Sequence, residues 1–128
     1  MNNRIYKFRA WDKIRKKMSM PFTLEDIDDC VISNQMCDGK YYRLFDCEIL
    51  QYTGLKDKNG KEIYEGDIIR ANFADIKYKE IKEFKSEVMF GYGQFYVCDN
   101  SIVYPVFDIF AHIEIIGNIY ENPELLEC

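Results

Sequence analysis

The sequence is poor in the residues and spacings that chemistry usually needs. It holds a single histidine, His112, among 128 residues. It has no glycine-rich phosphate-cradling loop, no Gly-x-Ser-x-Gly elbow and no HExxH pair, so the common signatures of nucleotide enzymes, serine hydrolases and zinc peptidases are missing. Its five cysteines, Cys30, Cys37, Cys47, Cys98 and Cys128, are odd in number and form no CxxC pair. In a reducing compartment they read as free thiols, mostly small buried hydrophobes. A zinc site built from Cys30, Cys37, Cys47 and His112 would lack the usual ligand spacings. Neither a metal nor another cofactor is expected. No apolar run approaches the roughly 20 residues of a membrane-spanning helix. The first residues contain no apolar signal core and no small-residue cleavage site. A cytoplasmic protein with no membrane partner is the expectation. Basic charge is also in deficit, with 17 Lys and Arg against 22 Asp and Glu and a net charge of −5. Non-specific nucleic-acid binding needs a basic surface that displaces phosphate counterions, so the balance argues against it.

What the chain has in abundance is rings. Hydrophobic residues make up 48% and aromatics 16%, with ten Tyr and nine Phe. Both residue types favour strands and fill cores, and Tyr also suits interfaces because its hydroxyl can stay wet. A chain of this length buries roughly two-thirds of its unfolded surface, enough to fold without disulfide or metal. Its interior is nonetheless small for so many rings, which points to self-association, or more simply to rings half-buried along strand faces. The length fits one domain over residues 1–128, or two small lobes, 1–50 and 51–128, sharing a core.

Along the chain, residues 4–11 alternate polar and bulky apolar side chains, with Tyr6, Phe8 and Ala10 on one face, and read as a strand. Asp12 begins a polar turn, and Met18, Met20 and Phe22 alternate again as a hairpin partner. Thr23 with Asp26 suggests a cap on one helical turn. Residues 30–32 read as a short strand, 33–40 as a loop around Asp38–Gly39, and 41–52 as one extended segment ending at Thr53–Gly54. Residues 72–86 are charged, with Tyr78, Ile81 and Phe84 three apart. They read as a long mobile hairpin loop, or one or two helical turns. Residues 87–90 and 94–98 form a hairpin over 91–93. A further turn falls at 99–101. Pro105 argues against a central strand at 102–107. Residues 111–119 are the last strand, broken at Gly117–Asn118, and a short helix is expected after Pro123. The class is mainly β: short antiparallel strands around a small barrel-like, SH3-like core with one or two helical turns.

The densest turn chemistry lies in residues 51–70, QYTGLKDKNGKEIYEGDIIR. Asn59–Gly60 suits a tight reversal, because both residues tolerate positive φ. Gly66–Asp67 opens an apolar strand, where Gly permits a sharp bend and Asp bonds nearby amides. Together with FRAWDKIRKKM (8–18) and IIGNIYENPEL (115–125), this stretch resembles the YopX family of bacteriophage and prophage proteins, from the start of the chain to its end. Residues 23–43 and 73–86 carry no part of the resemblance. It implies a phage or prophage product with a mainly β fold that acts in the host cell as a multimer. It brings no reaction and no catalytic residue. The motif positions Gly54, Asn59, Gly60, Gly66, Asp67, Gly117 and Asn118 are therefore expected to set turns.

Three constellations bear on chemistry. His112 and Glu114 would share one strand face, a geometry open to a general-base pair, but no nucleophile stands beside them. Asp57–Lys58–Asn59–Gly60 superficially resembles a calcium loop, yet its Gly comes too early, and a turn is the simpler reading. Glu62, Glu65 and Asp67 cluster as carboxylates that a hydrated metal or an acid/base pair could use, although a solvated hairpin face plus one turn-capping Asp is the simpler reading. Separately, Arg4, Lys7, Arg9, Lys13, Arg15, Lys16 and Lys17 interleave with Tyr6, Phe8 and Trp11. Arg9, Arg15 and Lys16 are the candidates for a local nucleic-acid patch, although strand alternation alone explains the pattern. The leading expectation is a non-enzymatic, oligomeric scaffold that binds a protein partner.

Overall fold

The computed structural model describes residues 6–32, 42–75, 80–91, 93–99, 102–105 and 112–126, with backbone alone at 73–75, 80–82, 99, 102–105 and 112. The chain is mainly β: among the described residues the strand pairings whose register is described are antiparallel, and the helical elements are short 3₁₀ turns. It forms two compact units, Met1–Gly54 and Leu55–Cys128.

In the first unit, β1 (Phe8–Asp12) pairs with β2 (Lys17–Met18) through Trp11 opposite Met18. Phe22 closes the hairpin as a lone bridge to Phe8, with both backbone hydrogen bonds at 2.8 Å. A 3₁₀ turn at Leu24–Asp26 follows, where the Asp26 carboxylate reaches back to accept the Thr23 N–H at 2.8 Å. The strands β3 (Ile27–Asp28), β4 (Val31–Ile32) and β5 (Tyr42–Arg43) form a small sheet in that order. The extended segment expected over 41–52 is interrupted by a second 3₁₀ turn, Leu44–Asp46, before β6 (Cys47–Lys56) returns alongside β1. Nor does β6 end at Thr53–Gly54. It runs on to Lys56, with Gly54 taking φ +90° inside the strand. Ala10, Phe22, Ile32, Tyr42 and Cys47 make the core, flanked by Phe8, Ile27 and Leu44. Trp11 and Asp12 are buried as well, so β1 is covered on both faces near its end.

In the second unit, β6 turns at residues 57–61 into β7 (Glu62–Tyr64), and a second reversal leads to β8 (Asp67–Asp75). Residues 72–86, expected as a loop or helical turns, are instead mostly strand. β8 pairs with β9 (Glu80–Glu87) from Ile68–Glu87 to Asp75–Glu80. The inward period of two is carried by Phe84 and Ser86, while Glu83 and Lys85 face water. A polar residue on the buried face hides the alternation. Ser86 is tolerated there because its hydroxyl accepts the Cys98 N–H at 3.0 Å and donates to the Glu87 carbonyl at 2.9 Å. β10 (Met89–Gly91), β11 (Gln94–Asp99) and β12 (Ile102–Pro105) follow as a meander, with Pro105 on an outer strand of that sheet. β13 (His112–Asn118) pairs with the other side of β8 and skips one residue, Ile116, between the Ile115–Ile69 and Gly117–Ile68 pairs. The irregularity expected at Gly117–Asn118 is thus a bulge one residue earlier, and the strand ends at Asn118. A 3₁₀ turn, Pro123–Leu126, stands where a final helix was expected. Ile63, Ile69, Ala71, Phe84, Val88 and Val97 form the core, and each large member contributes about 1.5–3 kcal/mol by leaving water. The loop expected at 33–40, the tip residues 100 and 101, and Cys37, Tyr92 and Cys128 lie outside the described residues.

The β3–β4 hairpin turns on two residues, Asp29 and Cys30, between the paired Asp28 and Val31. Both have positive φ, 49° and 61°, which marks a type I′ turn. Asp tolerates the left-handed region, but Cys gains nothing from it and carries a cost of roughly 1–2 kcal/mol. Replacing Cys30 with Gly relieves that cost and adds unfolded-chain entropy. Cys30→Gly is therefore expected to raise stability by about 0.5–1 kcal/mol, read as a shift of the urea midpoint at constant slope.

Candidate functional site

The residues picked out by the sequence converge on backbone amides. Asp12 is 3% exposed. One carboxylate oxygen accepts the N–H groups of Ile14 and Arg15, both at 2.9 Å, and the other accepts Arg15 Nε at 2.7 Å. Burial alone would raise this carboxyl, but the Arg15 and Ile14 amides and the Arg15 guanidinium together hold it below its ordinary value. The same guanidinium lies over the Tyr42 ring, 4.4 Å from its centre. Lys7 sits over Tyr52, and Lys13 pairs with Glu48 at 3.8 Å. Of the three nucleic-acid candidates, Arg15 is bound into this cluster, whereas Lys16 is exposed in a left-handed turn at φ 57°. Arg9 lies on β1 opposite Leu50 and makes contacts of its own.

Asp57 plays the same part in the second unit. Its Oδ1 accepts the Asn59 and Lys61 N–H groups, both at 2.9 Å, and its Oδ2 accepts the Ile115 N–H at 3.0 Å. The Asp57 N–H donates to the Lys61 carbonyl, and Gly60 N–H donates back to Asp57. Both oxygens face N–H dipoles, which disfavours a cation there. The calcium-loop alternative therefore has no physical footing at this turn. Burial would raise the carboxyl, yet the three amides outweigh it and hold Asp57 below its ordinary value. Beside it, Lys58 N–H donates to the Ile113 carbonyl, and Lys58 Nζ meets Glu114 at 3.0 Å. Arg70 approaches the other Glu114 oxygen at 2.8 Å. The hydrogen bond from Lys58 leads the causes that lower the Glu114 carboxyl. A carboxylate held low is a weak proton acceptor near neutrality. His112 pairs by its backbone with Asn72, two residues from Glu114 along β13.

Asp67, 2% exposed, accepts the Tyr64 N–H at 2.8 Å and so closes the reversal that Gly66 opens at φ +85°. Glu62 accepts the Tyr64 hydroxyl at 3.1 Å. Glu65 instead faces Glu87, whose carboxyl is raised first by burial and then by that neighbour. Of the three carboxylates of the sequence cluster, two thus accept hydrogen bonds from Tyr64 and the third neighbours Glu87. Gly54, Gly60 and Gly66 all have positive φ. Gly117 is close-packed: a side-chain carbon there would lie 2.7 Å from Asn122 Oδ1 and 2.8 Å from Leu125 Cδ1, so those side chains would have to shift. Asn118 caps the following turn, accepting the Tyr120 and Glu121 N–H groups at 3.0 and 2.8 Å. Among the described residues no group of three or more His, Cys, Asp or Glu is placed to hold a metal ion. The Cys47 thiol, pushed up to about 11 by burial and then by Asp12 and Asp46, is an inert core group.

Sequence reasoning missed a depression of about 260 Å³ in the first unit, lined by Asp29, Cys30, Val31, Arg43, Phe45 and Asp46. Its frame is fixed by the I′ turn, by Leu44 N–H on the Cys30 carbonyl at 2.9 Å and by Lys13 N–H on the Asp46 carbonyl at 2.8 Å. Phe45, at 83% exposed, stands at its rim. Nothing in the apolar run around Phe45 distinguishes an outward ring from an inward one.

A mainly β chain whose recurrent motifs are amide-capping turns matches one known class over nearly its full length. Residues 7–127 match the YopX protein family, and the chain belongs to that family. Protein EF1440 from Enterococcus faecalis is similar in structure, with 33% identity, a TM-score of 0.64, and 96% of this chain and 99% of that one covered. YopX from Bacillus subtilis is similar at 26% identity and a TM-score of 0.58, covering 100% of this chain and 98% of that one. No curated protein matches the chain. Among the described residues no helix is long and apolar enough to cross a membrane.

Asp57→Ala leaves three amides without their acceptor and is expected to cost about 3 kcal/mol in urea unfolding. The pH sign follows from the lowered carboxyl. Asp57 stabilises fully above its unfolded value near 3.8, and the contribution is lost as pH falls through the lower folded value. Asp57→Asn should flatten the acid limb of stability against pH, a change measured by thermal melts from neutral to strongly acidic buffer.

Proposed function

We propose that the chain is a phage or prophage accessory protein that works in the host cytoplasm as a non-enzymatic, self-associating β scaffold for a protein partner. The observation that carries this reading is the set of large apolar side chains left on the surface: Phe45, Ile14 at 73%, Leu24 at 63% and Phe90 at 55% exposed. Rings and aliphatic chains in water favour contact with another protein surface. The family motifs support the same view, because their polar groups are spent on backbone amides and leave few free for a reaction. Light scattering on the purified chain at micromolar concentration is expected to give a molar mass several times that of one chain. A single-chain mass throughout that range overturns the self-association.

The alternative, a nucleic-acid-binding module using Arg9, Arg15 and Lys16, draws less support because Arg15 is engaged by Asp12 and Tyr42. Arg15→Ala is expected to lower stability by about 2 kcal/mol and to leave retention on a nucleic-acid column unchanged. Salt-dependent retention that weakens with Arg9→Ala, Arg15→Ala and Lys16→Ala would favour the alternative.

A further inference from the structure

We infer that the depression between the β3–β4 turn and residues 43–46 docks a short segment of the partner in which a Lys or Arg adjoins a bulky apolar side chain. This rests on the partner-binding part of the proposed function and adds its place and chemistry. A volume of about 260 Å³ is below the usual range for small-molecule sites, roughly 300–1,000 Å³, and suits one large side chain. The apolar part of its wall is Val31 and the Phe45 ring, which is almost wholly in water. Among the described residues the lining carries two carboxylates, Asp29 and Asp46, and one guanidinium, Arg43, a net negative charge. None of the three forms an ion pair with a described residue. A basic segment meets complementary charge here, whereas an acidic segment or a phosphate backbone meets repulsion. The frame is held by backbone hydrogen bonds and a two-residue turn, so little ordering is needed on binding.

The test uses the full chain and three sets of short fluorescent synthetic peptides with the same Leu and Phe content, carrying Lys and Arg, Asp and Glu, or Ser and Gly. Fluorescence anisotropy is expected to show the basic set binding tightest, with affinity falling as salt rises. The Asp29→Asn/Asp46→Asn double variant should weaken that binding by about tenfold, and Phe45→Ala by a similar factor. Asn retains the tolerance for left-handed backbone at position 29, and circular dichroism checks that each variant folds. Equal binding of basic and neutral sets, no binding by any set, or indifference to both variants overturns the proposal. So does a fall in light-scattering mass on Phe45→Ala, which would make the occupant a second copy of the chain. A wild-type mass of several chains alongside a failed peptide test sinks only the docking site, whereas a single-chain mass sinks only the self-association.

Discussion

A buried carboxylate surrounded by backbone N–H groups is the constraint on which both units of this protein depend. Short strands joined by tight turns leave many amides outside any sheet ladder, and each must find an acceptor. Asp12 supplies one in the first unit, and Asp57 and Asp67 supply others in the second. Asn118 does the same with a neutral amide. The energetic logic is asymmetric. A satisfied buried acceptor adds modest net stability, whereas its removal strands several donors at once.

The three sequence blocks that resemble the YopX family each contain one or more of these caps. FRAWDKIRKKM contains Asp12 and its partner Arg15. QYTGLKDKNGKEIYEGDII contains Asp57 and Asp67, and IIGNIYENPEL contains Asn118 with the close-packed Gly117. What the family pattern carries in this chain is accordingly the geometry of reversals. The six residues that line the depression at Asp29 and Phe45 all lie outside those blocks.

At the reversals Gly60 and Gly66 take positive φ and Asn59 does not, and the strand class was legible because its signal, alternation, is local. The β8–β9 hairpin was not, since Ser86 occupies an inward position and breaks the apolar rhythm, while the spacing of Ile81 and Phe84 imitates a helix. Asp57 was legible as part of a turn but not as a long-range cap, because its third donor, Ile115, is 58 residues away. The depression was illegible for a similar reason. Arg43, Phe45 and Asp46 meet Asp29 and Cys30 only through pairings that no local pattern announces.

The hydrogen bonds from Ile115 to Asp57 and from Lys58 to Ile113 have one more effect. They occupy the side of β13 that faces away from β8, where ladder groups would otherwise offer a template to any passing extended chain. The reversal at residues 57–61 thus covers these groups of the outer strand as well as turning the chain.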